Sequence, residues 1–353
     1  MVLVAFGFIY LAIAKGFEPL LLLPIGTGIL LANLFGGLVE DGGILYNFKK
    51  VGLDTQLFPL LMFLGLGALT DFSPLIQRPI MALLGAAAQL GIFGALIGAV
   101  LLGFTLYEAG GIAIIGGADG PTAIYVSTRL APEQLWGPVA VSAYSYMAMV
   151  PLIQPPIMYL LTTQKERSVK MNYPESEVPR TTRVLFPLFT VCLTSLLAPE
   201  AVPLVGMLMF GNLLRESGVV ERLANTAQNE MINIVTILLG LTVGSTMTDE
   251  SFLDVKTLQI FALGLFAFCT STVGGLLLGK LLYIFSRGTI NPLLGAAGVS
   301  AVPMSARVVH RVAQEANPEN FLVMHAMGPN VSGVLGSAIA AGFLLDYLPR
   351  IAG

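Results

Sequence analysis

The chain has 353 residues, of which 55% are hydrophobic and only 11% charged, with a formal net charge of −3 and a mean hydropathy of +0.82. A soluble domain carries about a quarter charged residues, so that class is excluded. The few charges form no basic stripe, which excludes nucleic acid as a partner.

Met1 to Ile13 is apolar without a basic leader, and Pro19 to Phe35 is apolar again without an evident cleavage site. The first block therefore reads as a retained helix and not as a signal peptide. Further apolar blocks fall at 58–70, 80–105, 111–130 and 136–162. Ile80 to Phe104 and Thr257 to Gly279 contain no charged residue, and each exceeds the roughly 20 residues that cross about 30 Å of hydrocarbon as helix. Their unbroken apolarity lacks the period-two alternation of a β-barrel.

Residues 164–183 then gather Lys165, Glu166, Arg167, Lys170, Glu175, Glu177, Arg180 and Arg183, with Pro174 and Pro179 among them. This is the charged linker between two halves. It holds five of the eighteen basic residues, which places it on the cytoplasmic side. Apolar blocks resume at 184–198, 201–215, 231–247, 257–284, 289–313 and 321–345. The expected fold is an all-α membrane protein of about ten to twelve membrane segments, with a first membrane repeat at 1–163 and a second at 184–353. Offsets of 178 to 182 relate Thr70-Asp71 to Thr248-Asp249, Pro24 to Pro203 and Pro121 to Pro303. An odd number of spans per repeat would give inverted topology, with the broken helices crossing near the midplane. The short blocks at 58 and 231 read either as spans or as re-entrant segments.

The breaks are Gly116-Gly117-Ala118-Asp119-Gly120-Pro121-Thr122 and Gly298-Val299-Ser300-Ala301-Val302-Pro303-Met304-Ser305. Unwound backbone at membrane depth is tolerated only around a cavity or inside protein. Asp119 lies within an apolar run, where a carboxylate needs a cation, a proton or a watery cavity. Pro121 frees a carbonyl one turn earlier, and a small hard cation takes such oxygens. The competing reading is a kink whose aspartate caps a helix facing an aqueous loop. Tyr144 and Tyr146 point about 200° apart on a helix, so only one faces the interior beside Asp119; interfacial anchoring is the alternative. Arg307, four residues past Pro303, has the fork for a carboxylate; a residue snorkelling to headgroups is the other reading. Gly328-Pro329-Asn330 with Ser332 interrupts the last apolar block and supplies further oxygens. Cys192 and Cys269 read as small core residues. His310 and His325 have no ligand-like spacing.

The blocks Gly116–Thr122, Ala143–Met147, Pro151–Pro156, Asn291–Met304 and Met324–Gly333 together resemble the membrane β-subunit of sodium-pumping biotin-dependent decarboxylases. Members of that family act on oxaloacetate, methylmalonyl-CoA, glutaconyl-CoA or malonate. The resemblance implies an enzyme subunit that decarboxylates carboxybiotin brought by a partner, consumes a proton and exports sodium. It implies Asp119, Asn291 and Ser300 as sodium ligands and Tyr146 as proton relay. It implies Arg307, with Ser300 and Gly295, as the residues that meet carboxybiotin. Asp119, Tyr146 and Arg307 are then the catalytic set. Implied partners are a soluble biotin-carrying carboxyltransferase subunit, a small membrane-anchor subunit, the lipid bilayer and further copies of the chain. The implied location is a bacterial or archaeal plasma membrane, crossed several times. No Met-Lys-Met attachment site occurs, so biotin comes from another subunit. A sodium-coupled carrier or sodium/proton exchanger without chemistry is the alternative.

Overall fold

The computed structural model describes residues 1–171, 177–247, 254–301 and 303–352. Pro174, Glu175, Thr248, Asp249 and Val302 of the sequence reading lie outside the described residues. Among the described residues every regular element is helical, as expected.

The first half comprises α1 (Val2–Lys15), α2 (Pro19–Leu34), α3 (Ile44–Gly52), α4 (Leu57–Leu69), α5 (Ser73–Gln77), α6 (Ala82–Ala88), α7 (Leu90–Leu101), α8 (Leu106–Ala113), α9 (Gly120–Leu130) and α10 (Trp136–Leu161). The short α11 (Gln164–Arg167) occupies the linker. The second half contains α12 (Arg180–Leu197), α13 (Val202–Ser217), α14 (Glu221–Thr226), α15 (Ile232–Ser245), α16 (Val255–Phe285), α17 (Met304–Ala316) and α18 (Val323–Ala352). Arg180 and Arg183, counted with the linker on composition, are thus the first turn of a helix.

Among the described residues three stretches are long and apolar enough to cross a bilayer unaided: Pro79–Leu101, Val255–Phe285 and Val323–Ala352. A fourth is α3 with α4, bent by 64°. The ten to twelve apolar blocks are therefore mostly shorter helices, because prolines and glycines divide them. α18 departs from the sequence reading in the other direction. It runs unbroken through Pro329, since a proline inside a membrane helix is tolerated where neighbours satisfy the freed groups. Cys192, expected in the interior, is exposed on α12.

The core is built by close backbone crossings between halves. A Cβ at Gly28 would meet the Leu241 carbonyl oxygen at 2.2 Å, and one at Gly244 would meet that of Ile25 at 2.1 Å, so α2 and α15 touch backbone to backbone. α4 and α13 do the same: a Cβ at Gly67 would meet the Leu208 oxygen at 1.8 Å and one at Gly211 the Leu64 oxygen at 1.9 Å. Small residues at such crossings drive helix association where no hydrophobic force acts between helices. Two asparagines 179 residues apart seal the helix ends. Asn33 Nδ2 donates to the Met247 carbonyl (3.1 Å) and Asn212 Nδ2 to the Thr70 carbonyl (2.9 Å).

Candidate functional site

The first break is assembled from local rules. Thr105 and Glu108 form a capping box that starts α8, and a 3-10 turn over Ile114–Gly117 ends it. Ala118 then takes a left-handed conformation (φ 55°) with no exposed surface, a cost that surrounding structure must hold in place. Asp119 is extended, and Pro121 starts α9, where its missing N–H costs nothing. Asp119 sits at the N-cap position but is 5% exposed, so it faces protein and not an aqueous loop. Its Oδ2 accepts from the Thr122 hydroxyl and from the Ser337 hydroxyl of α18 at 3.0 Å. Both of these donors are hydroxyls able to turn their lone pairs toward a cation, and oxygens are what a small hard cation takes.

The second break is held differently. Asn291 caps a seven-residue 3-10 helix, Pro292–Gly298, its Oδ1 accepting from Leu293 N at 2.9 Å. Such a length of 3-10 structure is uncommon, and its freed carbonyls are taken by buried amides. Gln154 Nε2 donates to the Ala296 oxygen (2.9 Å), and Asn330 Nδ2 to those of Ala297 and Val299 (3.0 Å each). The two breaks touch, Ser300 Oγ donating to the Gly117 oxygen at 2.5 Å. Among the described residues no group of three or more His, Cys, Asp or Glu side chains forms a metal centre.

A family model described as the Na+-transporting oxaloacetate decarboxylase beta subunit matches residues 1–348. The chain belongs to this family. Among relatives, it is 55% identical to the methylmalonyl-CoA decarboxylase subunit beta of Veillonella parvula, over 99% of this chain and 92% of that one. It is 54% identical to the glutaconyl-CoA decarboxylase subunit beta of Acidaminococcus fermentans (98% and 92%). It is 49% identical to the oxaloacetate decarboxylase beta chain of Klebsiella pneumoniae (99% and 94%).

Within this beta-subunit fold the expected site residues divide into two groups. Ser300 lies at the contact between the breaks, bonded to the Gly117 carbonyl two residues before Asp119. Asn291 does not join them here: its amide donates to the Arg167 and Val169 carbonyls (3.0 and 2.9 Å), tying the linker to the second half. Seven residues of 3-10 helix, about 2 Å each, separate it from Gly298. Gly295 lies in a backbone crossing, where a Cβ would meet the Gly275 oxygen at 1.9 Å. Packing alone accounts for that glycine. Arg307 is exposed on the first turn of α17, outside the buried contact and open to a ligand arriving from outside. Tyr144, and not Tyr146, faces the first break, since a Cβ at Gly120 would meet the Tyr144 ring at 2.0 Å. The Tyr144 hydroxyl is buried with no hydrogen-bond partner. Tyr146 points to α16, donating to the Phe261 oxygen at 2.5 Å and lying 5.6 Å from the Phe268 ring.

Two oxygens at the site carried no assignment from sequence. Thr122 stands one turn from Asp119 within the quoted motif, so a hydroxyl three residues after an N-cap aspartate was the available signal. Ser337 lies 218 residues away, and nothing local marks it. His310 lies beside Phe321 (5.7 Å between rings), and His325 Nε2 is 3.1 Å from the Met171 oxygen.

Proposed function

We propose that this chain is the membrane subunit that decarboxylates carboxybiotin delivered by a soluble biotin-carrying partner, and that it couples this step to sodium export. The observation that carries the reading is a lone buried carboxylate, Asp119, surrounded by oxygens where two broken segments meet. The named activities of its relatives supply the chemistry. In the reaction the bond between the carboxyl carbon and the biotin nitrogen breaks, carbon dioxide leaves, and the nitrogen keeps the electron pair and takes a proton. Arg307, exposed and forked, pairs with the incoming carboxylate. Tyr146 supplies the proton once its hydroxyl leaves the Phe261 carbonyl. Asp119, with Thr122, Ser337 and Ser300, holds sodium as cargo. Asn291 reaches this set only in a conformation that releases the linker carbonyls.

The two halves, 1–163 and 184–353, serve as inverted-topology repeats of a plasma-membrane protein, with the linker at 164–183 in the cytoplasm. The breaks move together against a scaffold that includes α2 and α13, giving the buried site access to each side in turn. A small membrane-anchor subunit and further copies of the chain complete the assembly.

The test is purification of the complex through this chain, followed by reconstitution in sealed vesicles. A biotin-carrying protein should copurify, and adding the acyl substrate should drive sodium across the membrane with release of carbon dioxide. Sodium movement by the isolated chain, with no biotin protein bound and no decarboxylation, would replace this reading with a plain carrier.

A further inference from the structure

Gln89 stands at the joint between α6 and α7, within a stretch read only as an apolar span. Its side chain is 6% exposed. The Nε2 group donates to two carbonyls at once, Gly85 at 2.9 Å and Gly333 of α18 at 3.2 Å. Two acceptors on one side fix which end of the amide is nitrogen, because the reversed amide would set its oxygen against two carbonyl oxygens. The Oε1 atom is thereby aimed the other way, and it has no hydrogen-bond donor although it is buried. A buried acceptor without a partner is costly and uncommon in a native fold.

Its direction is informative. A Cβ built on Gly117 would lie 3.8 Å from Gln89 Oε1 and 3.0 Å from the Cβ of Ser337. Ser337 is the residue whose hydroxyl reaches Asp119, and the Gly117 oxygen is the one bonded by Ser300. The bare backbone of Gly117 thus faces the Ser337 side chain and the Gln89 oxygen, with the Ile92 Cδ1 methyl 3.3 Å from the same point.

We propose that Gln89 Oε1 is a further ligand of the small hard monovalent cation, sodium, held at Asp119. The proposal rests on the reading of Asp119 as the cation's carboxylate. A neutral amide oxygen completes an oxygen-only shell without adding charge, so the bound ion neutralises Asp119 and the site is no worse off when buried. The anchoring of Nε2 on α6 and α18 holds the ligand in position, as a rigid ion site requires.

The experiment measures thermal stability of the purified complex against sodium chloride, with choline chloride as control, for the wild type and for Gln89→Met, Gln89→Glu and Asp119→Asn. Sodium should raise the wild-type Tm. Gln89→Met, which keeps the length but removes the oxygen, should raise the sodium concentration for half-maximal effect about tenfold or more. Gln89→Glu restores an oxygen on the Asp119 side, at the cost of a second carboxyl near Asp119 and of the donated amide bonds, and should keep more of the wild-type sodium response than Gln89→Met. Equal weakening in Met and Glu would reduce Gln89 to a brace between α6 and α18, and unchanged sodium dependence in Met would also overturn the proposal. Should Gln89→Met fail to insert, Gln89→Asn withdraws the same oxygen by one methylene and should show the same rise. Sodium stabilisation that persists in Asp119→Asn would instead overturn the reading of Asp119 beneath it.

Discussion

Asn33 and Asn212 perform one task from opposite halves: each donates its amide to a carbonyl just beyond the end of a helix of the other half. The broken segments divide their tasks instead. With Pro121 matched to Pro303, Asp119 corresponds to Ala301, a fully buried methyl, and Tyr144 and Tyr146 correspond to Ala326 and Gly328. An unpaired carbonyl at membrane depth is the same problem wherever a helix ends, so both crossings keep the same remedy. A buried carboxylate is needed once per bound ion, and a second beside it would repel the first. The two halves thus share a solution where backbone groups set the requirement and differ where charge does.

The sharpest test of this difference is to make the first break as uncharged as the second. Asp119→Asn removes the carboxylate from the contact and should cost about 4 kcal/mol, or about a thousandfold in sodium-stimulated decarboxylation. Helical content and membrane insertion should be unchanged by circular dichroism and detergent extraction. Asp119→Glu should fail as well, since the longer arm moves the oxygens out of place. Near-normal turnover in either variant would remove Asp119 from the site.

The tyrosines extend the comparison within one half. Tyr146→Phe should lower decarboxylation about 100-fold, the scale of one proton donor, while sodium-dependent stabilisation of the complex stays at the wild-type level. Tyr144→Phe, altered beside Gly120 and Asp119, should change the sodium response and affect proton delivery less. The opposite pattern would exchange the two roles.

The scaffold offers the corresponding test of retained symmetry. Asn212→Ala leaves the Thr70 carbonyl without its donor at a site 1% exposed, which should cost about 1–3 kcal/mol. Asn33→Ala, at an exposed position, should cost less but in the same direction, both read as a fall in Tm with unchanged sodium dependence. A large loss in one and none in the other would mean the two crossings are not equivalent.

How much of this was legible in the sequence follows from how local each signal is. The helical class, the two charge-free spans and the break at Asp119 were all readable, because apolar runs, glycines and prolines act through their immediate neighbours. The break expected at Pro329 is absent, because its remedy comes from tertiary packing that a sequence window does not contain. Asn291 and Gly295 share one motif with Ser300, yet the 3-10 helix spaces them apart along its axis, and only Ser300 reaches the other break. Ser337 and Gln89 were invisible for the same reason: hydroxyls and amides are common in membrane helices, and only folding brings them to Gly117.

The smallest expected effect concerns two capping boxes at either end of α16. Glu108, in the box with Thr105, reaches Lys256 at 2.8 Å, and Glu166, in the box with Thr163, reaches Lys280 at 3.5 Å. These lysines lie 24 residues apart on one helix, about 36 Å at 1.5 Å per residue, so the pairs pin opposite ends of a span. Burial by itself would raise the Glu166 carboxyl, but the Thr163 N–H and hydroxyl and the Lys280 ammonium outweigh it and hold it below the usual carboxylate range. A carboxyl lowered in the folded state contributes stability that is complete above its unfolded value, about 4.3, and is lost as pH falls through the lower folded value. The Lys280 side chain is 34% exposed, so screening keeps the contribution below about 1 kcal/mol. Wild type should therefore lose slightly more Tm than Glu166→Gln between pH 6 and pH 3.5, and the two should converge at the acid end. Parallel loss in both proteins across that range would show that the linker-side pin adds nothing to the stability of α16.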